Sequence, residues 1–186
     1  MVDDAFRLNG LARYWPILAF AASGAMLAAA HAFEYFGQDA PCRLCLRQRD
    51  VYWASLAMAG TGWILFLAKP GTRFLTALNT MLALVFLTEA VVAGFHAGVE
   101  WDFWPGPAGC SALGDGDSIR NMTLGGLNNP IAIGDCGEAP WRILGLSMAG
   151  WNMLAALGLS IVSFAAARRV ASAGDELQSR PGGAKA

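Results

Sequence analysis

Two cysteines three positions apart, in Pro41-Cys42-Arg43-Leu44-Cys45, stand where one membrane-length apolar segment ends and the next begins. Such a dithiol closes reversibly into a disulfide, and at a lipid boundary it could trade electrons with soluble thiols on one side and a lipid-dissolved carrier on the other. A second pair, Cys110 and Cys136, brackets a loop that contains no His. The C-x-x-C spacing is shared with zinc sites, but nothing beside the second pair builds a zinc knuckle. As a plain staple, that pair would contribute about 3 kcal/mol by closing its loop. Two dithiols on one membrane face point instead to a relay, in which oxidation passes from pair to pair through mixed disulfides.

Around these sulfurs the sequence supplies few charged groups. Pro41 and the helix expected just beyond it put Cys42 and Cys45 at a helix N-terminus, where free N–H groups favour the reactive thiolate. Arg49 follows Cys45 by four residues, hence on the same face one turn deeper. Its guanidinium could stabilise a thiolate or hydrogen-bond a ring carbonyl, which would repay the roughly 2.5–3.5 kcal/mol that an arginine costs at the centre of a spanning helix. Arg47 reads as a side chain snorkelling to headgroups. His96 lies near the outer end of the third apolar segment, and Glu89 two turns below it on the same face is an acid that needs a partner at that depth; proton handling and burial as a neutral acid against Ser or Thr both fit. His31 and Glu34 read as interfacial, and Trp101, Phe103 and Trp104 as anchors for a loop.

The positioning elements follow from composition. Of 186 residues 55% are hydrophobic and 15% charged, which is membrane-protein usage, and a net charge of −1 offers no field for nucleic acid. Four segments reach the roughly 20 apolar residues that a spanning helix needs: 15–36, 51–68, 74–98 and 143–167. They predict an all-α membrane protein, a four-helix transmembrane bundle filling residues 1–167 in the lipid bilayer, with two redox-active extracytoplasmic loops, 37–50 and 99–141, and a disordered cytoplasmic tail at 168–186. Arg7 and Arg13 before an apolar run that reaches Ala28-Ala29-Ala30 imitate a signal peptide, but the run continues through Phe33, Tyr35 and Phe36. Four spans place both termini and the basic turn Lys69-Pro70-Gly71-Thr72-Arg73 on one side, cytoplasmic by the positive-inside rule. Arg43, Arg47, Arg49, Arg120 and Arg142 fall on the other side, so cysteine usage decides: paired cysteines suit an oxidising compartment. Trp15, Trp53, Trp101, Trp104 and Trp141 mark span boundaries. A short surface helix is expected within 118–133, which also holds a sequon at Asn121 that carries no weight.

Pro41-Cys42-Arg43-Leu44-Cys45-Leu46-Arg47-Gln48-Arg49, the four spans, the Cys110 and Cys136 loop, and Gly134-Asp135-Cys136 followed by Trp141 and Leu144-Gly145-Leu146 closely resemble the bacterial disulfide bond formation protein B (DsbB) family, over about residues 11–167. The resemblance implies an inner-membrane thiol oxidase that reoxidises DsbA, a periplasmic thioredoxin-fold partner, and passes electrons to ubiquinone or menaquinone in the membrane quinone pool. By position, Cys110 would form the mixed disulfide with that partner, and Cys136 would be its loop mate. Cys42 and Cys45 would be the quinone-coupled pair, with Cys45 facing the quinone, Arg49 the quinone-site arginine, and His96 at a position associated with the same pocket. No metal is implied. Arg43 departs from the apolar residue or Pro often found there, and Gln48 stands where some members have an acid. The residues alone also admit a metal-handling module using the cysteines with His96, or a tetraspan protein that its disulfides merely brace.

Overall fold

A computed structural model describes residues 10–37, 40–108, 110 and 134–179. Four long helices dominate it: α1 (Trp15–Gly37), α2 (Arg43–Ala68), α3 (Thr72–Glu100) and α4 (Met148–Ser179). All four are long and apolar enough to cross a membrane, and at 1.5 Å per residue each exceeds the roughly 30 Å hydrocarbon layer. The all-α bundle expected from hydropathy is therefore the fold. The expected surface helix and the Asn121 sequon lie outside the described residues.

Helix bounds differ from the apolar bounds wherever capping, rather than hydropathy, decides them. α2 begins at Arg43, not at 51, because Cys42 caps it: the Cys42 sulfur accepts a hydrogen bond from the Cys45 N–H. The charged stretch that follows consists of good helix formers, so charge moves the lipid boundary without ending the helix. α4 starts later than expected, at Met148. Residues 142–147 form a hairpin of β1 (Arg142–Ile143) and β2 (Leu146–Ser147), whose turn residues Leu144 and Gly145 have φ of 54° and 81°, the left-handed pair of a type I′ turn. Ser147 then caps α4, its Oγ accepting from Gly150 N–H at 3.1 Å. At its other end α4 continues to Ser179, through residues expected to be disordered. The extension is held by packing: Val170 is buried in the bundle core, and Gly174 lies so close to Thr72 that an added Cβ would come within 2.9 Å of its Oγ1.

α3 is the most buried of the four helices and packs most extensively on α4, while α2 bridges α1 and α3. Apolar side chains gain little from meeting each other in lipid, so close approach and hydrogen bonds must join the helices. Ser23 and Ser55 hydroxyls meet at 2.7 Å between α1 and α2, and Ser160 Oγ donates to Ala83 O at 2.8 Å between α4 and α3. Trp15, expected as an interfacial ring, is instead buried, its indole N–H donating to Ser163 Oγ on α4 at 2.8 Å. Trp104 matches the anchoring role: its indole stacks on Phe95, covers Gly98 and donates to Phe95 O at 2.9 Å.

Because the end of α4 is held by a contact only glycine permits, Gly174→Leu should cost about 1–3 kcal/mol of local packing. Faster tryptic cleavage at Arg168 and Arg169 than in wild type is expected; an unchanged digest would assign the order of 168–179 to something other than this contact.

Candidate functional site

All four cysteines converge at one end of the bundle. Cys42, Cys110 and Cys136 are buried in a single cluster with Leu44 and Val99, and Cys45 packs against it. Cys110 and Cys136 form a disulfide, with their Cα atoms 5.1 Å apart, and Cys42 and Cys45 are free thiols. The two pairs are brought together by backbone. Cys42 forms a parallel bridge with Gly134, and Gly134 N–H donates to Pro41 O at 3.4 Å. Only glycine fits there, since a Cβ would run into the Ala40 carbonyl. Two residues on, Cys136 N–H donates to Cys110 O at 3.0 Å. Arg43 reaches across from the start of α2 and donates to Ala108 O at 3.1 Å, so this unusual charge fastens the segment that leads to Cys110.

The helix N-terminus does not act on both thiols alike. Backbone N–H groups of Leu44 and Cys45 face Cys42, yet its thiol is held above the ordinary range by a side-chain hydrogen bond with Cys45 and by burial. The first ionisation of the pair therefore does not fall on Cys42. Cys45 is the more exposed sulfur, and the charge of Arg49 acts on it.

Beside Cys45 lies a cavity of about 730 Å³, bounded by α1, α2, α4 and the segment before the hairpin. That volume suits a small-molecule site. Leu27 and Phe33 give it apolar walls, while Gln48, Arg49, Tyr52 and Asn152 add polar groups. Arg49 is tied to α1: Nη2 donates to Ala30 O at 3.1 Å and Nη1 pairs with Glu34. Glu34, expected to be merely interfacial, is thus the counter-ion of the arginine. A guanidinium has five N–H donors, so these two contacts leave others for a ligand. Trp141, expected as a boundary anchor, packs at a tilt against Phe33 and lines the cavity, and its buried indole N–H has no partner among the described residues. Arg47 stays at the surface, 3.7 Å from Asp50.

His96 sits between the pairs. Its Nε2 is 3.5 Å from Cys42 Sγ and its Nδ1 2.7 Å from Gln48 Nε2. The chain continues through Asn152, which donates to Gln48 Oε1 at 2.6 Å and to Glu89 Oε1 at 2.7 Å. The partner that Glu89 needs is therefore an amide from another helix, not Ser or Thr. Gln48 stands out in the sequence only as a departure from an acid found in some relatives, and Asn152 is not singled out, although it interrupts an otherwise apolar span and carries a signal on that ground. Cys42, Cys45 and His96 also offer three soft donors within 4.8 Å of one another, the only such trio among the described residues.

Fold and site define a multi-pass membrane protein that carries two cysteine pairs at one end of a four-helix bundle. The family model for Disulfide bond formation protein DsbB matches residues 12–166, and the chain belongs to that family of disulfide-generating oxidoreductases. Similar proteins include Disulfide bond formation protein B of Methylococcus capsulatus (strain Bath), 33% identical over 151 residues, covering 79% of this chain and 88% of that one. Its counterpart in Xylella fastidiosa is 36% identical over 141 residues, 69% and 76% of the two chains. That of Xanthomonas euvesicatoria is 31% identical over 162 residues, 85% and 90%. No solved structure matches the chain.

The unequal burial of the inner pair gives a test. In fully reduced protein, a small membrane-permeant maleimide should modify Cys45 several-fold faster than Cys42, as read by peptide mass mapping. Equal rates, or Cys42 first, would contradict the shielding described.

Proposed function

We propose that the chain is a thiol:quinone oxidoreductase of the bacterial inner membrane, which reoxidises a periplasmic DsbA-like thioredoxin-fold protein and delivers the electrons to ubiquinone or menaquinone. The observation that carries this reading is the meeting of both cysteine pairs in one cluster, with the partly buried Cys45 at the wall of a largely apolar cavity.

Each exchange balances as thiol–disulfide chemistry. A thiolate of the partner attacks Cys110, forming a mixed disulfide and releasing Cys136 as thiolate. The partner's second thiol resolves that bond and leaves with the disulfide, and Cys110 and Cys136 remain reduced. Cys136 then attacks Cys42 of a Cys42–Cys45 disulfide. The Gly134–Cys42 bridge supports this choice of sulfur, because it holds the Cys136 backbone beside Cys42. Cys45 departs as thiolate, stabilised by the helix N-terminus and Arg49. Cys110 resolves the Cys42–Cys136 bond, which restores the loop disulfide and leaves the inner pair reduced. A quinone, when bound, supplies an acceptor for the two electrons and two protons that return this pair to the disulfide.

The cavity fits such a ring. Apolar walls match its carbon face, and the remaining Arg49 donors and the unpartnered Trp141 N–H are available for carbonyl oxygens. The acceptor must be strongly oxidising, since each 30 mV of uphill transfer costs about 1.4 kcal/mol. We place the cysteine end of the bundle in the periplasm and both termini in the cytoplasm. A cysteine introduced at Gly71 should then resist a membrane-impermeant maleimide applied to spheroplasts and react after lysis; labelling before lysis would reverse the orientation.

Purified protein given reduced DsbA-type donor and quinone should turn over, and Cys45→Ala and Cys110→Ala should each abolish turnover. Arg49→Ala should raise the quinone KM about ten- to hundredfold, the worth of one charge-assisted hydrogen bond. Absence of turnover with both quinone classes and several thioredoxin-fold donors would overturn the reading. One metal equivalent that copurifies and is lost on alkylation would favour the trio of Cys42, Cys45 and His96 as a metal site instead.

A further inference from the structure

The polar chain behind His96 has a direction. Asn152 Nδ2 spends its two hydrogens on two oxygens, Gln48 Oε1 and Glu89 Oε1, while its Oδ1 accepts from Tyr52 O–H at 2.6 Å. With Glu89 Oε1 as the unprotonated acceptor, reversing the Asn152 amide would set its oxygen against that carboxyl oxygen, and the Gln48 amide follows Asn152. Gln48 therefore turns its oxygen to Asn152 and its NH2 group to His96. An amide NH2 can only donate, so His96 Nδ1, 2.7 Å away, must accept. The single ring proton is then on Nε2, the nitrogen 3.5 Å from Cys42 Sγ and 3.8 Å from Glu100 Oε1. The Cys136 backbone carbonyl accepts from the ring as well, so the ring N–H is shared between that carbonyl and the Cys42 sulfur. Glu89 anchors the far end of the chain: it is fully buried, its Oε1 accepts from Asn152, and its Oε2 has no partner among the described residues.

We propose that Glu89, Asn152 and Gln48 are positioning residues that lock His96 as its Nε2–H tautomer, so that the ring donates a hydrogen bond to the Cys42 sulfur and is unable to take a proton from it. The chemical consequence rests on the dithiol relay proposed above. When the Cys42–Cys136 bond breaks toward Cys42, charge develops on a buried sulfur with little solvent, and the locked N–H meets it. A carboxylate in place of the Gln48 amide would accept rather than donate. It would draw the ring proton to Nδ1 and turn a bare Nε2 toward Cys42, converting a donor into a base. One amide thus selects which of two roles the histidine plays.

The test reads the tautomer itself. Protein labelled with 15N-histidine, in lipid nanodiscs and without added quinone or thiol donor, is examined by long-range 1H–15N correlation. His96 should show a protonated Nε2 and a bare Nδ1. His31 is the internal contrast: its Nδ1 lies 2.8 Å from Leu27 O and should carry the proton; His31→Asn assigns the two spectra. Gln48→Glu should move the His96 proton to Nδ1. Glu89→Gln, which keeps an oxygen for Asn152, should retain the wild-type pattern, whereas Glu89→Leu should release it into tautomer exchange. A protonated Nδ1 in wild type, or a pattern unmoved by Gln48→Glu, overturns the proposal, and the wild-type spectrum alone suffices if a variant fails to fold. The locked tautomer in a protein that never reduces quinone would leave this inference standing and remove the oxidase reading. Turnover with the other tautomer would do the reverse.

Discussion

Cys42 joins the three parts of the site. Its sulfur caps α2 through the Cys45 N–H, its backbone pairs with Gly134, and its side chain meets His96 of α3. A cap is ordinarily worth about 1 kcal/mol, but here the capping atom is also a redox atom. The start of α2 therefore cannot shift without moving the sulfur. The same residue holds the 134–136 segment, and with it one sulfur of the loop disulfide, against the inner pair. Burial follows from this, because a residue paired on so many sides leaves little surface for water. The Cys45 side-chain contact and then this burial hold the thiol above its usual range despite the helix N-terminus beneath it.

The bundle that carries this end divides by the type of contact between its helices. Toward the turn at Lys69–Gly71, small hydroxyls and a buried indole make single hydrogen bonds: Ser160 to Ala83 and Trp15 to Ser163. Toward the cysteines, amides and carboxyls of α2, α3 and α4 form a branched network, in which Asn152 alone joins Gln48, Tyr52 and Glu89. Networks of this kind rigidify when every member is satisfied and are costly when one is not. At this end, Glu89 Oε2, Glu100 Oε2 and the Trp141 indole N–H have no partner among the described residues. The cavity lies between α1 and α4 at this same end.

Sequence spacing made the cysteines, Arg49 and His96 legible as a group, since each sits at a boundary of an apolar segment and boundaries of alternate segments share a face. It placed the four helices for the same reason: length and hydropathy respond to lipid. What it could not place were features decided between helices. The Arg49–Glu34 ion pair joins residues fifteen apart on α1 and α2, and Glu34 looked like any interfacial acid. Trp15 looked like an interfacial ring because nothing local reveals Ser163 across the bundle. The starts of α2 and α4 differ from the apolar bounds because hydropathy locates lipid, whereas helices stop and start at caps: Cys42 acts as one, and the Leu144–Gly145 turn with Ser147 as another.

The Arg49–Glu34 pair decides what sort of field the cavity has. A bare guanidinium near lipid is expensive and would bias the whole cavity toward anions. With Glu34 beside it the net charge is close to zero, and what remains is a fixed set of N–H donors on a side chain only 14% exposed. A neutral ring with carbonyl oxygens needs such donors and gains little from a net positive field. The charge of Arg49 still acts on Cys45, together with the contacts that Cys45 makes to Cys42 at the start of α2. The paired arginine thus faces two ways, its N–H donors toward the cavity and its charge toward the adjacent sulfur.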